Sequence, residues 1–198
     1  DLPVADLKDC VADEIERSFQ EELFLTDEEK SVGKQKLRGQ CKDLGVKGIE
    51  VYHSEVSPIV MPVASEHEFL IPLWDGHQLY GFIDVLDESG IIRDTKTAKK
   101  APVQTIAQTS QQLTAYTMAY RQLFQRMPEK VTLDYVLLSN NPRVAFYESS
   151  RGMEDIRIFL KRLKRVIDGI EKEVFLPPTE PWQCLYCQYR QNCEEKLI

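Results

Sequence analysis

Residues 81–96 read Gly81-Phe82-Ile83-Asp84-Val85-Leu86-Asp87-Glu88-Ser89-Gly90-Ile91-Ile92-Arg93-Asp94-Thr95-Lys96, two runs rich in Phe, Ile, Val and Leu around a polar turn. The pattern predicts an antiparallel hairpin turning at Asp87 to Gly90. That register sets Asp84 opposite Asp94 on one face, with Cβ atoms about 5 Å apart, where like charges destabilise a sheet unless a cation lies between them. Lys96 follows Asp94 by two residues, so strand alternation turns its ammonium to the same face. The neighbours are apolar on both faces, as in central strands rather than an exposed ribbon. Two oxygen ligands for a divalent metal and one fixed positive charge outline a site that cleaves phosphodiesters.

At 198 residues, 42% hydrophobic and 29% charged, the chain suits one globular domain with a full core. It has no apolar run near the length of a membrane span, so a soluble cytoplasmic protein is expected. The net charge of −7 would disfavour nucleic acid, but residues 1–30 hold eleven acids against Lys8, Arg17 and Lys30, and residues 31–198 carry net +1. Arg93, Lys96, Lys99 and Lys100 cluster on and after the hairpin. Arg157, Lys161, Arg162, Lys164 and Arg165 cluster later, and each group reads as a solvated face or as phosphate contacts.

Helical periodicity predicts an acidic amphipathic helix over residues 4–24. Thr26-Asp27-Glu28-Glu29 predicts a capping box opening a second helix through Lys34 to Lys42, as far as His53. Glu68 to Leu73 predicts the first strand, and residues 103–127 a helix ending at Pro128 with Ile106, Leu113, Tyr120, Phe124 and Met127 facing the core. Strands follow at Thr132 to Leu138 and Val144 to Glu148. The last helix carries Met153, Ile156, Leu160, Leu163, Ile167 and Ile170 as its apolar stripe. These elements predict an α/β or α+β fold with a mixed sheet under helical cover, the 103–127 helix serving as a right-handed crossover. One domain over 1–198 is expected: a helical part at 1–57, a core at 66–175 and a cysteine-bearing tail at 176–198.

Gln112 and Tyr116 stand four apart, on one helix face, where an amide and a phenol can turn toward the cleft. The tail reads Trp182-Gln183-Cys184-Leu185-Tyr186-Cys187-Gln188-Tyr189-Arg190-Gln191-Asn192-Cys193, a C-x2-C-x5-C run suited to thiolate ligation of zinc or an iron-sulfur cluster. Its fourth ligand is expected to be Cys10, Cys41 or a cysteine upstream of residue 1.

Gly-x-Ile-Asp84, Asp94-x-Lys96, Gln112-x-x-x-Tyr116 and the C-terminal cysteine run, in that order and spacing, resemble the RecB-like nucleases of the PD-(D/E)XK superfamily. The likeness is to their iron-sulfur branch, which includes the CRISPR-associated exonucleases. The resemblance covers about Glu66 to Cys193. It implies a restriction-endonuclease-like fold and a magnesium- or manganese-dependent DNA nuclease, often an exonuclease on single strands, in repair, recombination or phage and CRISPR-type processing. By position, Asp84, Asp94 and the Thr95 carbonyl would bind the metal. Lys96 would orient the attacking water or stabilise the phosphate, while Gln112 and Tyr116 would sit near the active site and DNA path. Cys184, Cys187 and Cys193 would hold three corners of a [4Fe-4S] cluster, with zinc as the alternative. Arg93, Lys99 and Lys100 are expected to contact the DNA backbone. The family's opening cysteine and Gly-x-x-x-His helix have no match. His53, His67 and His77 lack that context and Glu66 is a weak substitute, so the missing helix is expected upstream of residue 1, or lost. The rival readings are a DNA-binding or assembly module without catalysis, and a redox or zinc protein.

Overall fold

The structure is a computed structural model describing residues 2–21, 23, 25–139, 141–175, 184, 187, 189, 190, 192 and 193. It divides into two compact units, Asp1–Val46 with Arg165–Ile198, and Lys47–Lys164. The helices Lys34–Glu55 and Met153–Glu171 contribute to both.

In the first unit, α1 spans Val4–Ser18, ending short of the residue-24 limit predicted from its periodicity. The α2 helix (Asp27–Val32) opens on the predicted capping box: the Thr26 hydroxyl accepts from the Glu29 amide, and the Glu29 carboxylate accepts from the Thr26 amide. The single predicted second helix is instead two. Gly33 takes φ +87°, a conformation outside any right-handed helix, and α3 (Lys34–Glu55) begins after it. Glu16 of α1 accepts from Arg38 at 2.6 Å, with Lys42 at 3.7 Å, and Gly45 leaves room for Val11 and Ile15.

The second unit holds a five-stranded sheet in the order β1-β2-β3-β4-β5, from β1 (Pro62–Pro72), β2 (Gln78–Asp87), β3 (Ile91–Ala98), β4 (Lys130–Leu137) and β5 (Arg143–Ser149). All neighbours pair antiparallel except β3 and β4, which are parallel, so the sheet is mixed as predicted. The first strand starts six residues earlier than its apolar run, because Pro62–His67, mostly polar or exposed apart from the half-buried Ala64, pairs with the end of β2 in the backbone ladder. The crossover helix is broken: α4 (Ile106–Thr109) stops at Ser110, whose hydroxyl caps α5 (Gln111–Phe124) by accepting from Leu113 N. Leu113 and Tyr120 face the core as predicted, but Phe124 is exposed and lies against the Tyr120 ring. In α6 (Met153–Glu171) the middle of the predicted stripe holds, with Ile156 buried and Leu160, Leu163 and Ile167 half-buried, whereas its ends Met153 and Ile170 are exposed and Phe159 joins the buried residues.

One core lies on the α5 side of the sheet, around Phe69, Ile83, Leu86, Ile92, Leu113, Val131 and Leu133. The other, around Val56, Val60, Val136 and Val144, lies toward Val51 and Tyr52 of α3. Strand alternation in β4 keeps these layers distinct, with Val131, Leu133 and Tyr135 in the first and Val136 in the second. The β1–β2 pair departs from this rule. Leu79 and Ile83 belong to the α5 layer, but so does Leu86, while Val85 turns to the other layer. Alternation therefore changes phase between Ile83 and Val85. In β1 the same change separates Ala64 from Phe69 and Ile71. Between them lies Glu66 at φ +48°, in line with Asp84 in the strand register. A non-glycine residue held in the left-handed region costs on the order of 1–3 kcal/mol.

No helix among the described residues is long and apolar enough to cross a membrane. The hairpin turn rests on Gly90, at φ +81°, whose amide donates to Asp87 O at 2.9 Å. A Cβ there would stand 3.1 Å from the Tyr120 hydroxyl. Gly90→Ala is therefore expected to destabilise the protein by about 1–2 kcal/mol, read as a lower urea midpoint at unchanged slope.

Candidate active site

The β2–β3 register pairs Val85 with Arg93 and Leu86 with Ile92, and continuing it one step sets Asp84 opposite Asp94. The two carboxylates meet there. The Tyr116 hydroxyl of α5 stands 3.3 Å from Asp84 Oδ1 and 3.5 Å from Asp94 Oδ1. Its own oxygen accepts from Gln112 Nε2 at 2.8 Å, one helical turn back. Thus the helix pair and both strand acids form one constellation, which the sequence placed on separate elements. The Thr95 amide donates to Asp84 Oδ2 at 3.2 Å. Lys96 Nζ lies 2.7 Å from Asp94 Oδ2, on the same face as its strand position requires.

Asp94 is fully buried, whereas the Lys96 side chain is 37% exposed. Burial pushes the Asp94 carboxyl above the usual aspartate range; Lys96 opposes the shift and Asp84 reinforces it. Burial and the two carboxylate charges likewise raise Tyr116, so its phenol stays protonated and acts as a donor. With both acids ionised, the cluster of Asp84, Asp94 and Lys96 carries one net negative charge.

The residues fit a divalent cation. Apart from Lys96, no donor reaches the buried Asp94 Oδ2 among the described residues. One or two carboxylates completed by water and phosphate oxygens is an ordinary magnesium donor set. No group of three His, Cys, Asp or Glu converges among the described residues, so protein carboxylates alone do not fill a coordination sphere.

The cysteine tail does not show a comparable convergence. Cys184, Cys187 and Cys193 are free thiols: Cys187 N donates to Cys184 O at 3.3 Å, and Cys193 N to Tyr189 O at 3.0 Å. They form no three-ligand group as described. Cys10 is exposed and Cys41 half-buried. Lys99 and Lys100 are exposed just beyond β3.

Arg93 corrects the expectation of backbone contact. It points to the face opposite Asp94, is buried, and donates to Asp134 Oδ2 at 3.0 Å, with Asp87 Oδ2 at 3.9 Å. Asp134 in turn accepts from the Thr132 hydroxyl at 2.7 Å. Such a guanidinium belongs to the core, and breaking a buried pair of this kind typically costs 3–5 kcal/mol. Alternation alone distinguishes it from Lys96, three residues on.

Two further contributors escaped the sequence reading. Tyr52 of α3 packs against the second core, on the reverse of the sheet from the acid pair, where burial raises its phenol above the usual range and Thr95 opposes the shift. Arg151 is buried at the end of β5, and its Nε donates to Thr114 Oγ1 at 2.9 Å, its Nη1 to Ser149 Oγ at 2.6 Å, and its Nη2 to Ser110 O at 3.3 Å and to Ala107 O. It ties the α4–α5 corner to the sheet, just before the turn that carries Gln112 and Tyr116. A lone arginine before a helix is an ordinary sequence feature, so only the long-range contacts reveal this role.

Residues 2–194 match the family model of the PD-(D/E)XK nuclease superfamily. Among solved structures, SSO0001 is similar at a TM-score of 0.51 and 15% identity, covering 100% of this chain and 98% of its own. A protein from Eubacterium rectale named as a candidate exonuclease is similar at 0.53 and 10% identity, covering 97% of this chain and 75% of that one. No curated protein matches the sequence.

A folded-state pKa raised above its unfolded value contributes stability that is present at low pH and lost as pH rises through the folded value. Asp94 is such a group, and at neutral pH its charge opposes folding. Asp94→Asn should accordingly be more stable than the parent at pH 7 without metal. The difference should vanish below the ordinary aspartate pKa of about 3.9. Manganese should raise the melting temperature of the parent only.

Proposed function

From the premise that the chain belongs to the PD-(D/E)XK nuclease superfamily, we propose that it is a magnesium- or manganese-dependent deoxyribonuclease, acting as an exonuclease with single strands favoured. The observation that carries this reading is the meeting of Asp84, Asp94, Lys96 and Tyr116 at one point, with Asp94 Oδ2 buried and short of donors. The exonuclease assignment leans on the name of the Eubacterium rectale neighbour and on the motif resemblance.

Asp84, Asp94 and the Thr95 carbonyl would hold the cation. When bound, it supplies a water of lowered pKa and positive charge beside the scissile phosphate. Lys96, anchored to Asp94, holds an ammonium where negative charge builds on the phosphate oxygens. Tyr116 keeps its proton and donates a hydrogen bond to the carboxylates, and Gln112 fixes the phenol by donating to its oxygen, so the acids keep one orientation as substrate enters. Lys99 and Lys100, exposed beyond the same strand, suit contacts to the phosphate backbone. Each such contact on a single strand contributes a slope of about −0.7 in log affinity against log salt, without reading bases.

The same reading assigns Cys184, Cys187 and Cys193 to a [4Fe-4S] cluster, or to zinc, in the tail. Its support is the C-x2-C-x5-C spacing, not the geometry of the thiols. A DNA-binding module without turnover draws on a different observation, that no third His, Cys, Asp or Glu joins Asp84 and Asp94 among the described residues.

Labelled single-stranded and duplex DNA incubated with the protein and manganese should be degraded. Asp94→Ala should abolish cleavage while leaving the circular dichroism spectrum unchanged, and Lys96→Ala should lower the rate by about 10²–10³-fold. Full activity of the Asp94 variant would refute the assignment, and DNA binding without turnover in the parent would select the module. For the tail, anaerobically purified protein is expected to be brown and to contain iron and sulfide. A colourless protein containing zinc would replace the cluster by a zinc site.

A further inference from the structure

We propose that the left-handed backbone at Glu66 is a positioning device that turns Asp84 into the metal site. Glu66 acts through its main chain rather than its carboxylate. The inference deepens the nuclease reading and rests on its assignment of Asp84 as a ligand.

Strict alternation makes incompatible demands on β2. Its outer half buries Leu79 and Ile83 in the α5 layer, beside Phe69 and Ile71 of β1. By period two, Asp84 would then face the opposite layer, away from Tyr116 and Asp94. Yet its carboxylate reaches the Tyr116 hydroxyl at 3.3 Å, and Leu86 shares the α5 layer with its partner across the hairpin, Ile92. The inner half of β2 is thus in phase with β3, and the outer half is in phase with the far end of β1. The two halves are joined where Asp84 stands.

The neighbouring strand makes the same change at the same level. Ser65 pairs with Val85 and His67 with Ile83, but Glu66 and Asp84, which lie between them, are not paired. Glu66 is the residue at φ +48°. A single left-handed residue in a strand twists the ladder and re-aims the side chains beside it, as strand irregularities do next to active sites. Glycine is the ordinary occupant of such a conformation, asparagine is tolerated, and a β-branched residue is excluded by its Cβ substituents. The Glu66 side chain is exposed and joins no group of three potential metal ligands among the described residues. The backbone therefore carries the role.

The test compares Glu66→Gly, Glu66→Asn, Glu66→Gln, Glu66→Thr and Glu66→Val in the full chain. Manganese binding is measured by calorimetry without DNA, melting temperature by circular dichroism, and cleavage of single-stranded DNA separately. The glycine, asparagine and glutamine variants are expected to bind manganese like the parent, with glycine raising the melting temperature. Valine is expected to weaken binding by about 10–100-fold, the range for losing a group that orients a metal ligand. If the valine variant does not fold, the same comparison is made between threonine, whose β-branch meets the same exclusion, and glycine. Parent-like binding by folded valine, or by threonine where valine does not fold, overturns the proposal. So does weakened binding in the glutamine variant, which would make the carboxylate a ligand. Failure of the nuclease reading looks different: the parent then binds manganese with the expected order among variants but cleaves no DNA.

Discussion

Two aspartates are held face to face in the middle of a sheet, and the rest of the second unit is arranged around the cost of that meeting. Asp94 has no exposure to water, its usual source of compensation. In its place stand one ammonium at 2.7 Å and one phenol shared with Asp84. A single hydroxyl proton cannot satisfy two carboxylates, and one lysine cannot neutralise them. The cluster is left electron-rich in a low-dielectric setting, where an added cation gains most. On the proposed reading, the stability forgone in the fold would favour a bound cation, a trade common at functional sites.

How the acids are held depends on parts of the chain far from them. The α5 helix must deliver Gln112 and Tyr116 within hydrogen-bond reach of β2 and β3, and its first turn is fixed at both ends of a chain of contacts. Ser110 caps it, and Arg151 grips the Ser110 and Ala107 carbonyls as well as Thr114. Burial lowers the pKa of this arginine, but a guanidinium still stays charged, so it is a permanent cross-link rather than a switch. On the reverse of the sheet, Arg93 and Asp134 bind β3 to its parallel neighbour. Both sides of the acid pair are thereby braced by an arginine that does not touch it.

The acid pair, its lysine and the glutamine-tyrosine turn were legible in the sequence because each rests on a local rule. Hairpin register follows from the Asp-Glu-Ser-Gly turn, and alternation or helical spacing supplies the rest. The sheet's mixed character was legible for the same reason, from the length of the crossover. What escaped depends on contacts distant in sequence. Gly33 looks like a tolerable helix glycine until its φ of +87° is known. Ser110 interrupts a helical pattern that is periodic on both sides. In α6, Phe159 is buried beside the half-buried Leu160 of the predicted stripe, which the helix's own periodicity does not show. Arg93 read as part of a basic patch because composition does not show which face a charge occupies.

That last error and the proposal for Glu66 both turn on alternation, kept in one strand and broken in the others. A period of two is a strong constraint only while the phase is kept, and it assigned Arg93 and Lys96 to opposite faces once Asp94 was fixed. In β1 and β2 the phase is not kept. The hydrophobic pattern of Leu79, Ile83 and Leu86 already contains the interval of three that betrays the change, since no regular strand buries residues three apart on one side. The interval brackets Asp84. An apolar strand that must also present an acid to the layer covering it can break alternation at the acid, and a left-handed neighbour gives that break a fixed location instead of a choice of registers.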